Sequence, residues 1–373
     1  MSSTEEDHIS VIFNDPVQDQ PVNGTLFSQG ETTVTSNKNN EKNYFLPISE
    51  NIAERLFGEL FGNPDFKSDI CMMHCLAQTC FVLAGLIDGR KGETYDLHVV
   101  HLIIMTRFVL EDPDEAGAST FIKFYNSQPE SKDYPLEDVS SYYVNYVFCS
   151  LLNISLENEN ARFKDIVYSL FPRGRDVLSH KRKNIGPFPS VNRSIDLSME
   201  KMKNFLLDFE VKQYFDQHLE LKGHKIWICH YGYERQVFMR NFKDNRVAQL
   251  YGIETVGMEI LKTFTSLANS KESKDIMLDY DVWKGFNNLD NAVFELNNAL
   301  TKDLGYTVLA DKFFGLERKI NSFWYRFQRE ADHRRIYKPV DYYFIIFSVF
   351  LGFLTMVQTI SGIISLIFQV KSS

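Results

Sequence analysis

The sequence predicts a mainly α-helical protein: a helical cytosolic module with little strand, a coiled-coil-like stem and one C-terminal transmembrane helix. Three observations favour this fold class. Apolar residues recur at helical spacing over much of the chain. A seam of apolar residues at alternating four- and three-residue steps begins at Leu309. Finally, about 29 residues, 342–370, carry no formal charge.

The N-terminal half is predicted to contain a tail and a helical region. Residues 1–43 are rich in Ser, Thr, Asn, Gln and Glu, and they lack the basic and apolar regions of a signal peptide. We interpret them as a disordered cytosolic tail. Residues 44–170 form the helical region. Within it, segment 70–87 is uncharged and near the shortest length of a membrane span, but His74 and Gln78 favour a buried core helix over a second span.

The middle of the chain is predicted to contain a boundary. Segment 171–190 holds several Pro and Gly residues and a basic cluster, which are typical of a linker. A second helical region follows over 191–282. It contains an expected amphipathic helix over 199–218 and a short strand at Lys225–Cys229.

Cysteines and histidines occur at spacings that suggest metal or nucleophile sites. The candidate groups are Cys71, His74, Cys75 and Cys80; His98 and His101; and His224, Cys229 and His230. The first group has no second ligand pair at a usual zinc spacing, and the second has no third ligand at a recognised offset. In the third group, a nucleophile pair needs Cys229 and a histidine in contact, but a strand places the adjacent Cys229 and His230 on opposite sides. We therefore expect core or surface side chains here, with no cofactor, no metal and no catalytic residue.

Residues 283–338 are predicted to form the helical stem and a basic juxtamembrane segment. The seam of the stem consists of Leu309, Phe313, Leu316, Ile320, Phe323 and Phe327. The basic residues before the span are Arg326, Arg329, Arg334, Arg335 and Lys338. Because positively charged flanks stay in the cytosol, these residues predict a cytosolic N-terminal bulk.

Segment 339–370 is the predicted transmembrane anchor, the single span of a tail-anchored protein. Its uncharged part would be roughly 43 Å long as a helix, which exceeds the roughly 30 Å hydrocarbon core and predicts tilt. Small and polar residues follow one side of the helix: Ser348, Gly352, Thr355, Thr359 and Gly362. Such a stripe lets helices approach closely, so we expect an association face. There are two alternatives: a single span simply tolerates scattered Ser and Thr, or the stripe lines a pore in an oligomer.

Two segments carry a resemblance to a known family. The first contains Ile185-Gly186-Pro187, Met199-Glu200, Lys203, Leu206 and Asp208-Phe209. The second contains Ile320-Asn321, Trp324, Tyr337, Leu354-Thr355 and Gln358-Thr359. In this order they resemble motifs of a plant family of tail-anchored proteins with a domain of unknown function, which includes self-incompatibility determinants of grasses. Phe188-Pro189 stands where that family has two histidines. The resemblance implies a mainly helical, membrane-anchored protein that serves recognition rather than catalysis.

The sequence therefore predicts a membrane-anchored, non-enzymatic interaction or recognition protein, in the endoplasmic reticulum or the plasma membrane. Its expected partners are membrane lipid and a second copy or another membrane protein. The net charge of −9 argues against nucleic acid. A subunit of an oligomeric ion-conducting protein and a membrane-tethered enzyme remain the alternative functions.

Overall fold

A computed structural model describes residues 48–86, 95–132, 140–156, 161–183, 189, 197–205, 207–283, 289–300 and 305–372. These residues are mainly helical, with sixteen α-helices and one three-stranded sheet. The predicted tail over 1–43 lies outside the described residues. The mainly α fold class is confirmed, and the described residues contain one long apolar helix near the C-terminus, as expected.

The first helices cover the region up to residue 170. They are α1 (Glu50–Phe61), α2 (Ile70–Leu86), α3 (Asp96–Glu111), α4 (Ala118–Ser127), α5 (Ser141–Leu152) and α6 (Phe163–Leu170). Twelve of the sixteen residues of α3 are buried, so this helix lies at the centre of the core. It is apolar on nearly all sides and packs against α1, α2, α4 and α5.

The helix α2 packs within the module. Its residues Met72, Leu76, Cys80 and Leu83 are buried, and it contacts α3, α5 and α9. With 17 residues it is also shorter than the usual membrane span. Both observations agree with a core helix, the interpretation favoured for segment 70–87.

An ion-pair network joins α1 to α3. The Arg107 guanidinium donates to the Glu59 carboxylate at 2.8 Å and to Glu130 at 3.0 Å, and Arg55 donates to the same Glu130 oxygen at 2.8 Å. These side chains are partly exposed, so the network lies at the surface of the described helices.

The next elements alternate between short helices and strands. They are α7 (Pro172–Arg182), α8 (Met199–Asn204), β1 (Asp208–Lys212), β2 (Glu220–Lys222), β3 (Lys225–Cys229), α9 (Tyr233–Asn241), α10 (Arg246–Tyr251), α11 (Val256–Leu267), α12 (Lys271–Asp279) and α13 (Leu289–Ala299). Short 3-10 helices occur at Pro64–Ser68, Pro129–Lys132, Phe215–Gln217 and Phe242–Asp244.

The predicted linker over 171–190 is corrected by the structure, because α7 occupies most of its described part. Pro172 is the first residue of this helix, where its missing N–H costs nothing. Gly174 lies so close to α10 that a Cβ there would approach the Tyr251 carbonyl oxygen to 2.9 Å. Proline and glycine therefore start and pack a helix at these positions instead of separating two domains.

The helix predicted over 199–218 is also wrong beyond its first turns. After α8 the chain enters β1, which pairs in parallel with β3, and β2 pairs with β3 on the other side. Phe209 stands opposite Ile226 in this register. The strand predicted at Lys225–Cys229 is present with the same bounds, and it is the central strand of the sheet.

The seam of the stem is divided between two helices, α14 (Ala310–Asn321) and α15 (Phe323–Tyr337). Ser322 separates them in an extended conformation, and its hydroxyl accepts the Tyr325 N–H as the cap of α15. The first four seam residues, Leu309, Phe313, Leu316 and Ile320, are buried in the core of the module. The last two, Phe323 and Phe327, are exposed. The described residues therefore do not show a continuous stem helix with one unpaired seam.

Candidate functional site

The last helix, α16 (Pro339–Ser372), contains the candidate membrane span. Its segment Pro339–Phe368 has 30 residues and is long and apolar enough to cross a membrane. Every residue over 343–368 is exposed. A core helix of similar composition would be mostly buried, so burial within the described chain does not explain these apolar side chains. At about 45 Å, the segment exceeds the thickness of a hydrocarbon core.

The predicted association face lies along one side of α16. Its members are exposed: Ser348, Gly352, Thr355, Thr359 and Gly362. Each of the three hydroxyls donates to a carbonyl oxygen one turn earlier, at 2.8 to 2.9 Å. This bonding satisfies the hydroxyls within the helix, so they can lie in lipid or against another helix. A Cβ at either glycine would meet no described atom within 4 Å.

The predicted basic residues do not form one cluster, because they leave α15 in two directions. The Arg326 guanidinium lies 5.7 Å from the Phe205 ring of the module. Arg329 lies 5.2 Å from the Tyr325 ring, and its side chain is only 15% exposed. These two arginines therefore contribute to packing of the helix as well as to its charge.

The other three basic residues are closer to the span. Arg334 donates to Glu330 at 2.8 Å, and an Arg335 nitrogen lies 3.8 Å from an Asp332 oxygen. Lys338, between α15 and α16, is exposed. Exposed pairs of this kind contribute little to stability, and the three basic residues place positive charge at the C-terminal end of α15.

A buried carboxylate joins the module to the start of α14, and sequence reasoning missed it. Glu259 of α11 is fully buried. Its oxygens accept the backbone N–H of Val308 at 3.0 Å and of Leu309 at 2.8 Å. The hydroxyls of Thr255 and Thr307 donate to the same carboxylate. An acidic residue within the otherwise apolar start of α11 was the available sequence signal.

A second polar connection reaches α14 from the 3-10 helix beside the sheet. The Asp216 carboxylate accepts the Ser155 N–H at 2.7 Å and the Ser155 hydroxyl at 2.5 Å. Burial raises the pKa of Asp216, and the bonds from Ser155 oppose that rise. Lys312 of α14 donates to the Asp216 carbonyl oxygen. The start of α14 is therefore fixed to the module at two places.

The predicted histidine pair lies in the core. His98 Nδ1 and His101 Nδ1 lie 3.1 Å and 2.7 Å from the Tyr143 hydroxyl. Burial, with a smaller effect of His98, lowers the pKa of His101 to about 3. Burial also raises the pKa of the Tyr143 phenol. Both groups therefore stay neutral near pH 7, which suits a hydrogen-bonded core.

The sheet holds the remaining candidate nucleophile. Cys229 is buried, and burial raises the pKa of its thiol to about 11. Its backbone N–H donates to His218 Nδ1 at 3.2 Å. Burial lowers the pKa of His218 to about 3, and nearby Lys312 adds to the effect. A protonated thiol is a poor nucleophile, so this arrangement is suited to packing.

The groups considered as metal ligands are not assembled into a site. Within the described ranges, no three or more His, Cys, Asp or Glu side chains are arranged to hold a metal ion. In the α2 group, Cys80 is buried, whereas Cys71 and Cys75 are partly exposed.

Comparison of the chain with protein-family models, curated proteins and solved structures finds no match. The resemblance to the plant tail-anchored family therefore stays a prediction.

Proposed function

We propose that this protein is a membrane-anchored, non-enzymatic interaction or recognition protein whose helical module lies in the cytosol. The observation that carries the proposal is the exposure of α16. An apolar helix of this length has a large free-energy cost in water, and a bilayer removes that cost. The two polar connections at Glu259 and Asp216 fix the start of α14, from which the chain continues through α15 to α16, to the rest of the module.

The charge around α16 supports the cytosolic orientation. Five basic residues precede the span within α15 and its C-terminal end, and Lys371 follows it. Orientation depends on the count of Lys and Arg near the span, and acidic neighbours such as Glu330 and Asp332 contribute little. The module, which precedes these basic residues in the chain, therefore belongs on the cytosolic side of the membrane.

The chemistry of the buried polar groups supports an interaction role. Glu259 and Asp216 accept hydrogen bonds from the same chain, and His101 near Tyr143 stays neutral. Each of these groups stabilises the fold at its position. The resemblance to a recognition family points in the same direction.

Alkaline carbonate extraction tests the anchor. We expect the full chain to stay in the membrane pellet and a variant without Pro339–Phe368 to be extracted, because the module then has only peripheral contacts. A variant with a deletion in segment 1–43 is the control and should stay in the pellet. Retention of the anchor-deleted chain would contradict the proposal and direct attention to α2 as a second span.

Self-association through the stripe is the finer part of the proposal. Replacing Gly352 and Gly362 by Leu adds bulk on the proposed face. Because a Cβ at either glycine meets no described atom within 4 Å, the larger side chains should not clash within the chain. We expect less cross-linked dimer in membranes, with a loss of about 1 kcal/mol for each well-packed contact. Leu at Val349 and Val357, away from the stripe, is the control. Equal dimer yield for both pairs would contradict association through this face.

A further inference from the structure

The helix α15 presents two different sides. Tyr325 is buried and Arg329 is 15% exposed, so this side packs against the module. At about 100° per residue, Phe323, Trp324 and Phe327 lie on the other side of the helix. The packing of Tyr325 therefore orients the three aromatic side chains away from the module.

These three side chains form one exposed cluster. Phe323 is 72% exposed, Trp324 is 76% exposed and Phe327 is 60% exposed. The Phe323 ring lies 5.7 Å from the Trp324 ring and 6.3 Å from the Phe327 ring, with the two phenylalanines stacked. Since aromatic side chains present about 150–250 Å² each, roughly 300–500 Å² of aromatic surface is open here. A patch of that size matches the largest apolar patch on a typical monomer, which is often functional.

The same side of α15 is basic toward its C-terminal end. Arg334, Arg335 and Lys338 follow the aromatic cluster around the outward side, where Glu330 is the acidic neighbour. Asp332 falls closer to the packed side of the helix. The outward side therefore combines Phe and Trp with a net positive charge, which is the composition of helices that lie in a membrane interface.

The position of α15 identifies the surface that fits it. The helix ends at Tyr337, and α16 begins at Pro339. Fifteen residues span about 22 Å as a helix, so the whole outward side lies within that distance of the start of the span. Lipid headgroups beside the start of α16 reach the aromatic cluster when α15 lies along the surface of the leaflet.

We propose that α15 is an interfacial helix that docks on the leaflet that α16 enters, with Phe323, Trp324 and Phe327 inserted among the headgroups of anionic lipid. Arg334, Arg335 and Lys338 bind the headgroup phosphates and carboxylates. The docked helix holds the module close to the bilayer. This inference rests on the proposed membrane anchor.

Bromolipid quenching of tryptophan fluorescence tests the docking. The full chain is reconstituted in nanodiscs at one chain per disc, with lipids brominated near the headgroup and with phosphatidylserine present or absent. The chain has three tryptophans, so the signal of Trp324 is the difference between the unchanged chain and Trp324→Phe. We expect quenching that Trp324→Phe removes and that phosphatidylserine increases.

Two further variants make the result specific. Serine at Phe323, Trp324 and Phe327 together should increase hydrogen exchange of the α15 amides in the discs. Phe294→Ser is the control, because Phe294 is 67% exposed but lies on α13. Replacement of Arg334, Arg335 and Lys338 by Gln should remove the dependence of the quenching on phosphatidylserine.

The outcomes separate this inference from the anchor itself. Flotation of the reconstituted chain on a density gradient reports whether it is bound to lipid. If the chain floats with the lipid but Trp324 is not quenched, docking of α15 is wrong and the anchor stands. If Trp324 is quenched at one chain per disc but shielded when two chains share a disc, the single chain docks on lipid as proposed, and a second copy displaces lipid from the cluster. If the chain does not float with lipid, the proposed anchor fails as well.

Discussion

Removal of the Glu259 carboxylate is expected to release the start of α14 from the module. In Glu259→Ala, the backbone N–H groups of Val308 and Leu309 lose their acceptor. These residues are 4% and 1% exposed, so water cannot replace the carboxylate without opening the structure. The hydroxyls of Thr255 and Thr307 lie 2.9 Å apart and can bond to each other, so their loss is smaller.

The magnitude follows from the number of donors left unpaired. A buried donor without an acceptor costs about 1–3 kcal/mol, so two of them give a loss of about 2–6 kcal/mol. Glu259→Gln keeps one oxygen and should lose about half as much. A single domain has about 5–15 kcal/mol in total, so the alanine variant should be severely destabilised.

Urea unfolding of the full chain in nanodiscs, followed by circular dichroism, measures the effect. Hydrogen exchange of the α14 amides shows whether the loss begins at this contact. Glu295→Ala is the control, since Glu295 is exposed on α13 and should change stability by less than about 0.5 kcal/mol. If Glu259→Ala unfolds at the same urea concentration as this control, Glu259 does not fix the start of α14.

Two other predictions concern the module. Gly174→Ala should destabilise it by about 1–3 kcal/mol in urea unfolding, because the new Cβ would lie 2.8 Å from an Ile253 methyl carbon. The control Gly315→Ala, in open space, should stabilise α14 by about 0.5–1 kcal/mol. Equal effects of the two substitutions would contradict close packing at Gly174. Burial lowers the pKa of His101 and His218 to about 3, so the folded chain keeps them neutral while the unfolded chain takes up protons below about pH 6.5. Each histidine should therefore lower the free energy of unfolding by up to about 1.4 kcal/mol per pH unit as the pH falls from about 6.5 toward 3. An imidazole NMR signal assigned to His101 or His218 that titrates near 6.5 in the folded chain would contradict this.

Local patterns predicted the elements whose stability depends on their own residues. The long apolar run of α16 and the alternating pattern of β3 are visible in the sequence because apolar residues recur regularly at neighbouring positions. β1 was missed because its partner is distant in sequence. Met202 and Phe209 fit a helical spacing as well, and only the pairing of Phe209 with Ile226 selects the strand.

The linker and the stem were misjudged for a different reason. Pro and Gly near residue 172 indicate a turn by composition, but the need for Gly174 depends on how closely α10 approaches. In the stem, the Asn321-Ser322 pair was a local signal for a helix end and a new cap. The regular seam on both sides of it favoured a single helix.

The association face and the basic residues stay predictions, and the connection between the module and α14 was missed. The stripe residues and the basic residues could be found from spacing and charge alone. The function of Glu259 depends on a chain segment that returns to it 48 to 50 residues later. The outward side of α15 depends on the burial of Tyr325, which spacing along the chain does not show.

Protease protection of tagged termini in sealed membrane vesicles tests the central claim most directly, because it reports the number of spans and the side of the module together. With the cytosolic face outward, we expect protease to remove an N-terminal tag without detergent and to remove a C-terminal tag only after detergent is added. Protection of the N-terminal tag, or removal of both tags without detergent, would contradict a single span with a cytosolic module.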